Sequence, residues 1–394
     1  MSPIENPFAP GAGTPPPELA GRDAVRQSMG VAMARARLGK PFKSAILIGL
    51  RGVGKTVLLD RIREDAEGSG LRAVRIEAPE GRSLPSILAP RLRVALLQLS
   101  LIDRAREVAA RALRGLTGFV QAVKVTYQDV ELSLEGASEP GLADAGDLES
   151  DLTDLLQAVG EAARAAGTAL ILFIDELQYV PETQLAALIT ALHRCSQRNL
   201  PIMLVGAGLP QLRGQLGNAK SYAERMFDFP MIGALEHDDA VSAIRQPIQH
   251  AHALIDDDAL EKILAETQGY PYFLQEWGKQ AWDVAESSPI RLVDVERATA
   301  LAVIALDESF FRVRFDRSTP SEKRYLRAMA ELGPGPHRSG DIANKLGREV
   351  TNLGPIRAKL ISKGMVWSPT HGDTAFTVPL FDQFMRRVMP DFQV

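Results

Sequence analysis

Ser44-Ala45-Ile46-Leu47-Ile48-Gly49-Leu50-Arg51-Gly52-Val53-Gly54-Lys55-Thr56 is the stretch that decides how this chain is read. Its first five residues form a short apolar run that stops at a glycine, the pattern of a buried strand in a parallel sheet. Four residues separate Gly49 from Gly54, Lys55-Thr56 follows, and 53–67 has helical periodicity. Strand, glycine-bearing turn, lysine, hydroxyl and helix in that order match the P-loop pattern. The chemistry needs these residue types. Glycines let the backbone fold tightly, so that successive N–H groups converge on phosphate oxygens. A lysine reaches the β- and γ-phosphates, a threonine hydroxyl ligates Mg²⁺, and the helix N-terminus favours negative charge. The expected phosphate contacts are Gly49, Arg51, Gly52, Val53, Gly54, Lys55, Thr56 and Val57. Glycines at 49, 52 and 54 do not fit the G-x-G-x-x-G dinucleotide fingerprint.

A phosphate loop of this kind calls for an acidic site at the end of a nearby strand. Leu170-Ile171-Leu172-Phe173-Ile174 supplies the strand and Asp175-Glu176 closes it. Asp175 is expected to hold Mg²⁺ through water, together with Thr56, and Glu176 to orient and deprotonate the attacking water. Around the two motifs the chain alternates strands with helices. A helix over 23–38 precedes the first strand. A strand over 71–76, helices within 83–114, a helix over 147–166, a helix over 182–198 and a strand over 202–205 follow. This order predicts a doubly wound α/β core with a parallel sheet. Alternating residues on either side of Gln128-Asp129 predict a small hairpin over 123–134, to which no chemistry attaches. From Asp238 to Leu306 strand signals vanish and amphipathic helices take over, as in a helical lid. The expected division is an extended Pro/Gly-rich segment at 1–18, the core at 19–235, the helical lid at 236–317 and a third unit at 318–394.

Composition bounds the function classes. The 394 residues carry a formal charge of −4, but from Ser318 onward 11 Lys/Arg face 7 Asp/Glu, whereas the rest carries 34 against 42. A mildly basic module therefore follows an acidic body. A single cysteine, Cys195, excludes an intramolecular disulfide and any multi-thiolate metal site, and its apolar helical setting predicts a buried thiol. The pair His250/His252 and His371 lack a ligand pattern and read as solvated side chains. The longest apolar runs, 169–174 and 300–306, are far too short to span a bilayer, and 1–17 has no secretory pattern. A cytoplasmic protein without membrane contact is the expectation.

The last unit reads as a helix over 321–332, a short helix over 339–347 opened by a serine cap, and a longer one over 352–363 with Pro355 in its first turn. Short strands over 365–367 and 374–377 enclose Thr370-His371-Gly372-Asp373 as a wing. In DNA-binding versions of this arrangement the third helix enters the major groove. Arg348, Asn352, Arg357, Lys359 and Lys363 are then the residues expected to face double-stranded DNA. Docking of a protein partner on the same unit stays open beside that reading.

Taken together these residues resemble the AAA+/STAND group of P-loop ATPases, near the archaeal-ATPase and Orc1/Cdc6-like families. Leu19-Ala20-Gly21-Arg22-Asp23 is similar to the box that packs near adenine in that group, and Gly269-Tyr270-Pro271 to the GxP motif of its lid. The resemblance implies ATP and Mg²⁺ as ligands, with adenine between Gly21-Arg22 and Pro271. It also implies a winged helix at the C-terminus. Arg225 lies where such families place an arginine finger, acting across a self-association interface; a surface ion pair is its other reading. Two departures stand out. Gly206-Ala207-Gly208 ends a strand where a polar sensor residue is usual, and Pro271 stands near where many relatives carry a sensor arginine. The implied function is a slow ATPase acting as a nucleotide-dependent switch on DNA. A nucleotide-gated signalling or scaffold protein is the alternative.

Overall fold

Three strands of the central sheet are buried at every position, which is why their sequences are continuous apolar runs rather than alternating ones. The computed structural model describes residues 1–11, 13–78, 80–123, 126–127, 130–131 and 137–392. Contacts divide the chain into two units. One comprises Arg22–Gly49 and Lys55–Ile232; the other comprises Met1–Gly21, Leu50–Gly54 and Gly233–Val394.

The first unit runs α1 (Asp23–Arg37), β1 (Ser44–Ile48), α2 (Lys55–Gly68), β2 (Arg72–Glu77), α3 (Leu84–Ser100), α4 (Arg106–Ala122), β3 (Thr126–Tyr127), β4 (Val130–Glu131), α5 (Leu148–Ala166), β5 (Leu170–Asp175), α6 (Glu182–Gln197), β6 (Ile202–Gly208), α7 (Leu212–Ala219), α8 (Ala223–Met226) and β7 (Phe227–Asp228). The main sheet has the order β2-β5-β6-β1-β7, and every pairing in it is parallel. Strand β6 therefore separates β1 from β5, with Gly206 in register with Ile46 on one side and Ile174 on the other. The two motif-bearing strands end beside a third strand whose last residues are Gly206-Ala207-Gly208.

Helices α3, α5 and α6 bury Leu92, Leu96, Leu155, Leu156, Leu188 and Leu192 in one core with β5. Helix α5 begins where Asp147 accepts from the Ser150 N–H (2.8 Å) and ends at Gly167, left-handed at φ 70°. Cys195 is fully buried there, and burial pushes its thiol up to about 12, as expected of a structural cysteine. The hairpin keeps the pairs Thr126↔Glu131 and Tyr127↔Val130; the rest of its loop and its outer strand ends lies outside the described residues.

The second unit contains α9 (His237–His250), α10 (Asp257–Thr267), α11 (Pro271–Val284), α12 (Leu292–Ala305), a π-helical turn (Leu306–Phe311), α13 (Arg312–Asp316), α14 (Pro320–Leu332), β8 (His337–Arg338), α15 (Ser339–Lys345), α16 (Val350–Ser362), β9 (Val366–Trp367), β10 (Asp373–Phe376) and α17 (Phe381–Val388). The boundary expected at 318 falls inside it. Phe311 reaches Phe384 and Phe381 at ring distances of 5.3 and 5.6 Å, so aromatic packing joins the π turn to the last helix.

Several expectations are corrected here. The segment 1–18 is not purely extended: it holds a 3-10 turn at Pro3–Glu5 and is fastened to α11. Asn6 Nδ2 donates to Asp283 Oδ1 (2.8 Å), Trp282 Nε1 donates to Ser2 O (2.9 Å), and Phe8 is buried against Gly278. A Cβ at 278 would lie 2.8 Å from the Phe8 ring, so the glycine makes room for it. Ser339 is the first helical residue rather than the cap, and its hydroxyl donates to Gly372 O in the wing. Pro355 lies inside α16, because that helix starts two residues earlier than its pattern suggests. A third strand, β8, completes the sheet β8-β10-β9. Its two residues are too few to show alternation.

Truncating a buried phenylalanine typically costs about 3–5 kcal/mol. Phe8→Ala is therefore expected to lower the thermal midpoint of the full chain and to speed proteolysis ahead of Gly21. Unchanged midpoint and cleavage rate would mean that the N-terminal anchor does not hold in solution.

Candidate functional site

The α/β unit supplies most of the chemistry. The Gly49 N–H donates to Gly208 O (3.2 Å), tying the end of β1 to the end of β6. Gly52 and Gly54 have φ of 82° and 86°, a region that disfavours any side chain, and no atom of the described residues lies within 4 Å of a Cβ placed at 54. Lys55 opens α2 and is 8% exposed, with Thr56 next to it.

Asp175 ends β5 and is 2% exposed. Its Oδ1 accepts from the Glu176 N–H (2.9 Å), and its Oδ2 accepts from Arg75 Nη2 (3.3 Å). Arg75 Nε also donates to Asp60 Oδ1 (2.8 Å). Asp60 lies one turn after Thr56 on the same face of α2. The bridge Asp60–Arg75–Asp175 thus joins the first turns of α2 to the C-terminal ends of β2 and β5. Burial alone would lower the Arg75 pKa, but its bond to Asp60 and the charges of Asp175 and Asp60 raise it. Burial would likewise raise Asp60, yet the Arg75 hydrogen bond and charge hold its carboxyl below the usual range. One arginine in a half-buried edge strand carries no motif, so the sequence alone does not mark Arg75.

Glu176 adopts φ 54° and ψ 36°, a left-handed conformation that a non-glycine residue keeps only where its surroundings impose it. The following 3-10 turn, Leu177–Tyr179, buries Leu177 and Gln178. Gln178 Nε2 donates to Glu176 Oε2, and Gln178 Oε1 accepts from the Leu209 N–H (3.1 Å). A Cβ on Gly206 would come within 2.3 Å of Leu177, and one on Gly208 within 2.5 Å of Leu212 and 2.9 Å of Gln178 Oε1. The two glycines at the end of β6 therefore admit this turn. Arg225, on α8, is exposed and its side chain makes no ion pair among the described residues.

The tip of the loop, Leu50–Gly54, groups with the second unit. Tyr272 N–H donates to Gly52 O (3.2 Å) and Tyr270 Oη donates to Arg51 O. A Cβ on Gly52 would meet Tyr270 at 3.0 Å, Tyr272 at 3.3 Å and Phe310 at 3.5 Å. Tyr272 stacks on Phe310 at 4.5 Å, and the Arg314 guanidinium lies 4.0 Å from the Phe310 ring centre. Burial, with the Arg51 charge nearby, pulls Arg314 down to about 10. In the same unit Gly21 (φ 68°) lies against Asp239, and Pro271 opens α11 behind Gly269 (φ 68°). Arg22, in the α/β unit, is buried.

Residues 18–205 match the AAA ATPase domain family. This stretch is similar to an AAA ATPase domain. It contains the phosphate loop, Arg75, the acidic pair and Gln178, whereas Arg225 lies beyond the matched residues. Residues 308–385 match a second family, described as a domain of unknown function (DUF8462). No curated protein sequence matches this chain. Among solved structures, the Walker-type ATPase PABY2304 of Pyrococcus abyssi is 15% identical with a TM-score of 0.58, covering 95% of this chain and 97% of that one. It shares the fold, including the helical region that follows the AAA domain. The Orc1 protein of Aeropyrum pernix in complex with DNA is 16% identical with a TM-score of 0.46, over 94% of this chain and 93% of that one. RuvB of Thermotoga maritima, the Holliday junction branch migration motor, is 15% identical with a TM-score of 0.43, over 95% and 96%.

Beyond the AAA domain, the residues expected to face DNA divide into two groups. Arg357 is turned onto the wing, donating to Thr374 Oγ1 (2.8 Å), Ser368 Oγ (2.7 Å) and Asp373 O (2.7 Å). Lys363 is paired with the buried Glu322 (2.7 Å), which also accepts from the Thr319 N–H in the capping box of α14. Arg348, Asn352 and Lys359 are exposed. Among the described residues no helix is long and apolar enough to cross a membrane, and no three His, Cys, Asp or Glu cluster as a metal site.

The Asp60–Arg75 bridge has a pH signature. A carboxyl held low contributes its full stability above its unfolded pKa, about 3.9, and loses it as pH falls through the lower folded value. Arg75→Ala is expected to lower the urea midpoint near neutral pH, with a deficit that narrows below about pH 4. A deficit that is constant with pH contradicts this account of the bridge.

Proposed function

We propose that the chain is a slow, Mg²⁺-dependent ATPase that acts as a nucleotide switch. The observation that carries this reading is the pairing, in one α/β unit, of a buried lysine at the start of α2 with Asp175 and Glu176 at the end of β5. Lys55 and the amides of 49–57 hold the phosphates, and Glu176 accepts the proton of the attacking water. The Thr56 hydroxyl and the Asp175 carboxylate are hard oxygen donors that suit Mg²⁺, which when bound would neutralise charge on the β- and γ-phosphates. Gly21, Arg22 and Pro271 are the residues we assign to adenine. Arg225, exposed and without an ion pair among the described residues, is available to a second copy of the chain as an arginine finger.

Slow turnover is supported by the end of β6, Gly206-Ala207-Gly208, which carries no polar side chain. Lys55→Ala is expected to weaken ATP binding at least tenfold by calorimetry. Glu176→Gln should keep ATP bound while phosphate release falls to background, from a wild-type rate below about 1 s⁻¹. Wild-type affinity in Lys55→Ala, or undiminished turnover in Glu176→Gln, would refute this assignment.

For the output of the switch we infer DNA contact through the exposed residues Arg348, Asn352 and Lys359 of the winged helix. The internal bonds of Arg357 and Lys363 favour a second reading, docking of a protein on α16, whose exposed residues also include Val350, Thr351, Gly354, Pro355 and Ala358. Phosphate contacts release counterions, so DNA binding must weaken steeply with salt. Retention of a random duplex at low salt, lost in the double variant Arg348→Ala/Lys359→Ala, supports the first reading. No retention at about 50 mM salt, with ATP-dependent capture of a protein, supports the second.

A further inference from the structure

Gln178 is buried, polar and bonded at both ends of its amide, and the phosphate chemistry derived above leaves it without a task. The Leu209 N–H at the end of β6 is a donor only, so it fixes which amide atom faces it: Oε1. Nε2 is thereby turned to Glu176 and donates to its Oε2. Glu176 itself sits in a left-handed conformation, and its backbone N–H is held by Asp175 Oδ1. Gly206 and Gly208 are small for a reason visible in the packing, since a side chain at 206 would collide with Leu177 and one at 208 with Leu212 and Gln178. The amide of Gln178 therefore stands at the end of β6, where that strand supplies no polar side chain of its own.

We propose that Gln178 is the positioning residue of the hydrolytic base: its amide couples the end of β6 to the carboxylate of Glu176 and sets the orientation in which that carboxylate receives a proton from water. The inference rests on the ATPase reading given above. One oxygen of Glu176 is held by the amide and the other is left to the water. Gln178 touches neither phosphate nor metal in this assignment, so its loss acts on the chemical step and not on nucleotide affinity.

The test measures kcat, KM and the ATP dissociation constant of the full chain, with the unfolding midpoint of each variant. Gln178→Met keeps the side-chain length and removes both bonds. Gln178→Glu keeps the acceptor for Leu209 and removes the donor to Glu176. Both variants are expected to lose at least about tenfold in kcat, within the span that a general base contributes, while KM and ATP affinity stay within about twofold. A merely structural glutamine predicts the opposite pattern, in which Gln178→Glu keeps wild-type kcat. Turnover within about twofold of wild type in either folded variant, or a fall in ATP affinity that tracks kcat, overturns the proposal. A wild type whose turnover does not exceed that of Glu176→Gln overturns the hydrolytic reading itself, and this inference with it, and is told apart by needing no Gln178 variant.

Discussion

Two glycines at positive φ, 52 and 54, let the chain leave β1 and enter α2 within six residues. An L side chain at either position would push the backbone away from the left-handed region. The two glycines do different jobs. No described atom lies within 4 Å of the place a Cβ on Gly54 would take, whereas Gly52 is hemmed in by Tyr270, Tyr272 and Phe310. The carbonyls of Arg51 and Gly52 accept bonds from Tyr270 and Tyr272, so the tip of the turn is part of the aromatic unit as much as of the nucleotide loop.

The sheet order explains how the acidic pair is placed. Strand β6 lies between β1 and β5, and its end is bonded to Gly49 on one side and, through Gln178, to Glu176 on the other. Small residues at 206 and 208 are what allow the 3-10 turn after β5 to pack there. The absence of a polar side chain on β6 and the presence of a buried glutamine on the neighbouring turn are thus one packing solution. Arg75 performs a comparable task from β2, joining Asp60 of α2 to Asp175.

Much of this was legible in the residues. Continuous apolar runs mark the strands, and spacing and context single out Gly49–Thr56 and Asp175-Glu176 as the candidate site. The AAA ATPase match over 18–205 agrees with the family resemblance drawn from them. What stayed hidden shares a physical cause: it depends on contacts distant in sequence. Arg75 and Gln178 gain meaning only when the strands are in register. The N-terminal segment has no periodicity, yet Phe8 finds a slot made by a glycine 270 residues away. Arg357 and Lys363 read as free cations on a recognition helix because a helical pattern cannot show that Thr374 and Glu322 lie within reach. Glycines 206 and 208 read as a lost sensor, when they are also a cavity for a neighbour.

The central claim is that the amides between Gly49 and Val57 enfold a polyphosphate whose metal faces Asp175. Amide hydrogen exchange of the full chain, with and without saturating ATP and Mg²⁺, addresses it most directly. The account predicts slowed exchange in two separate peptides, one covering 50–57 and the other 175–178. ATP bound at saturation with neither peptide protected would contradict it.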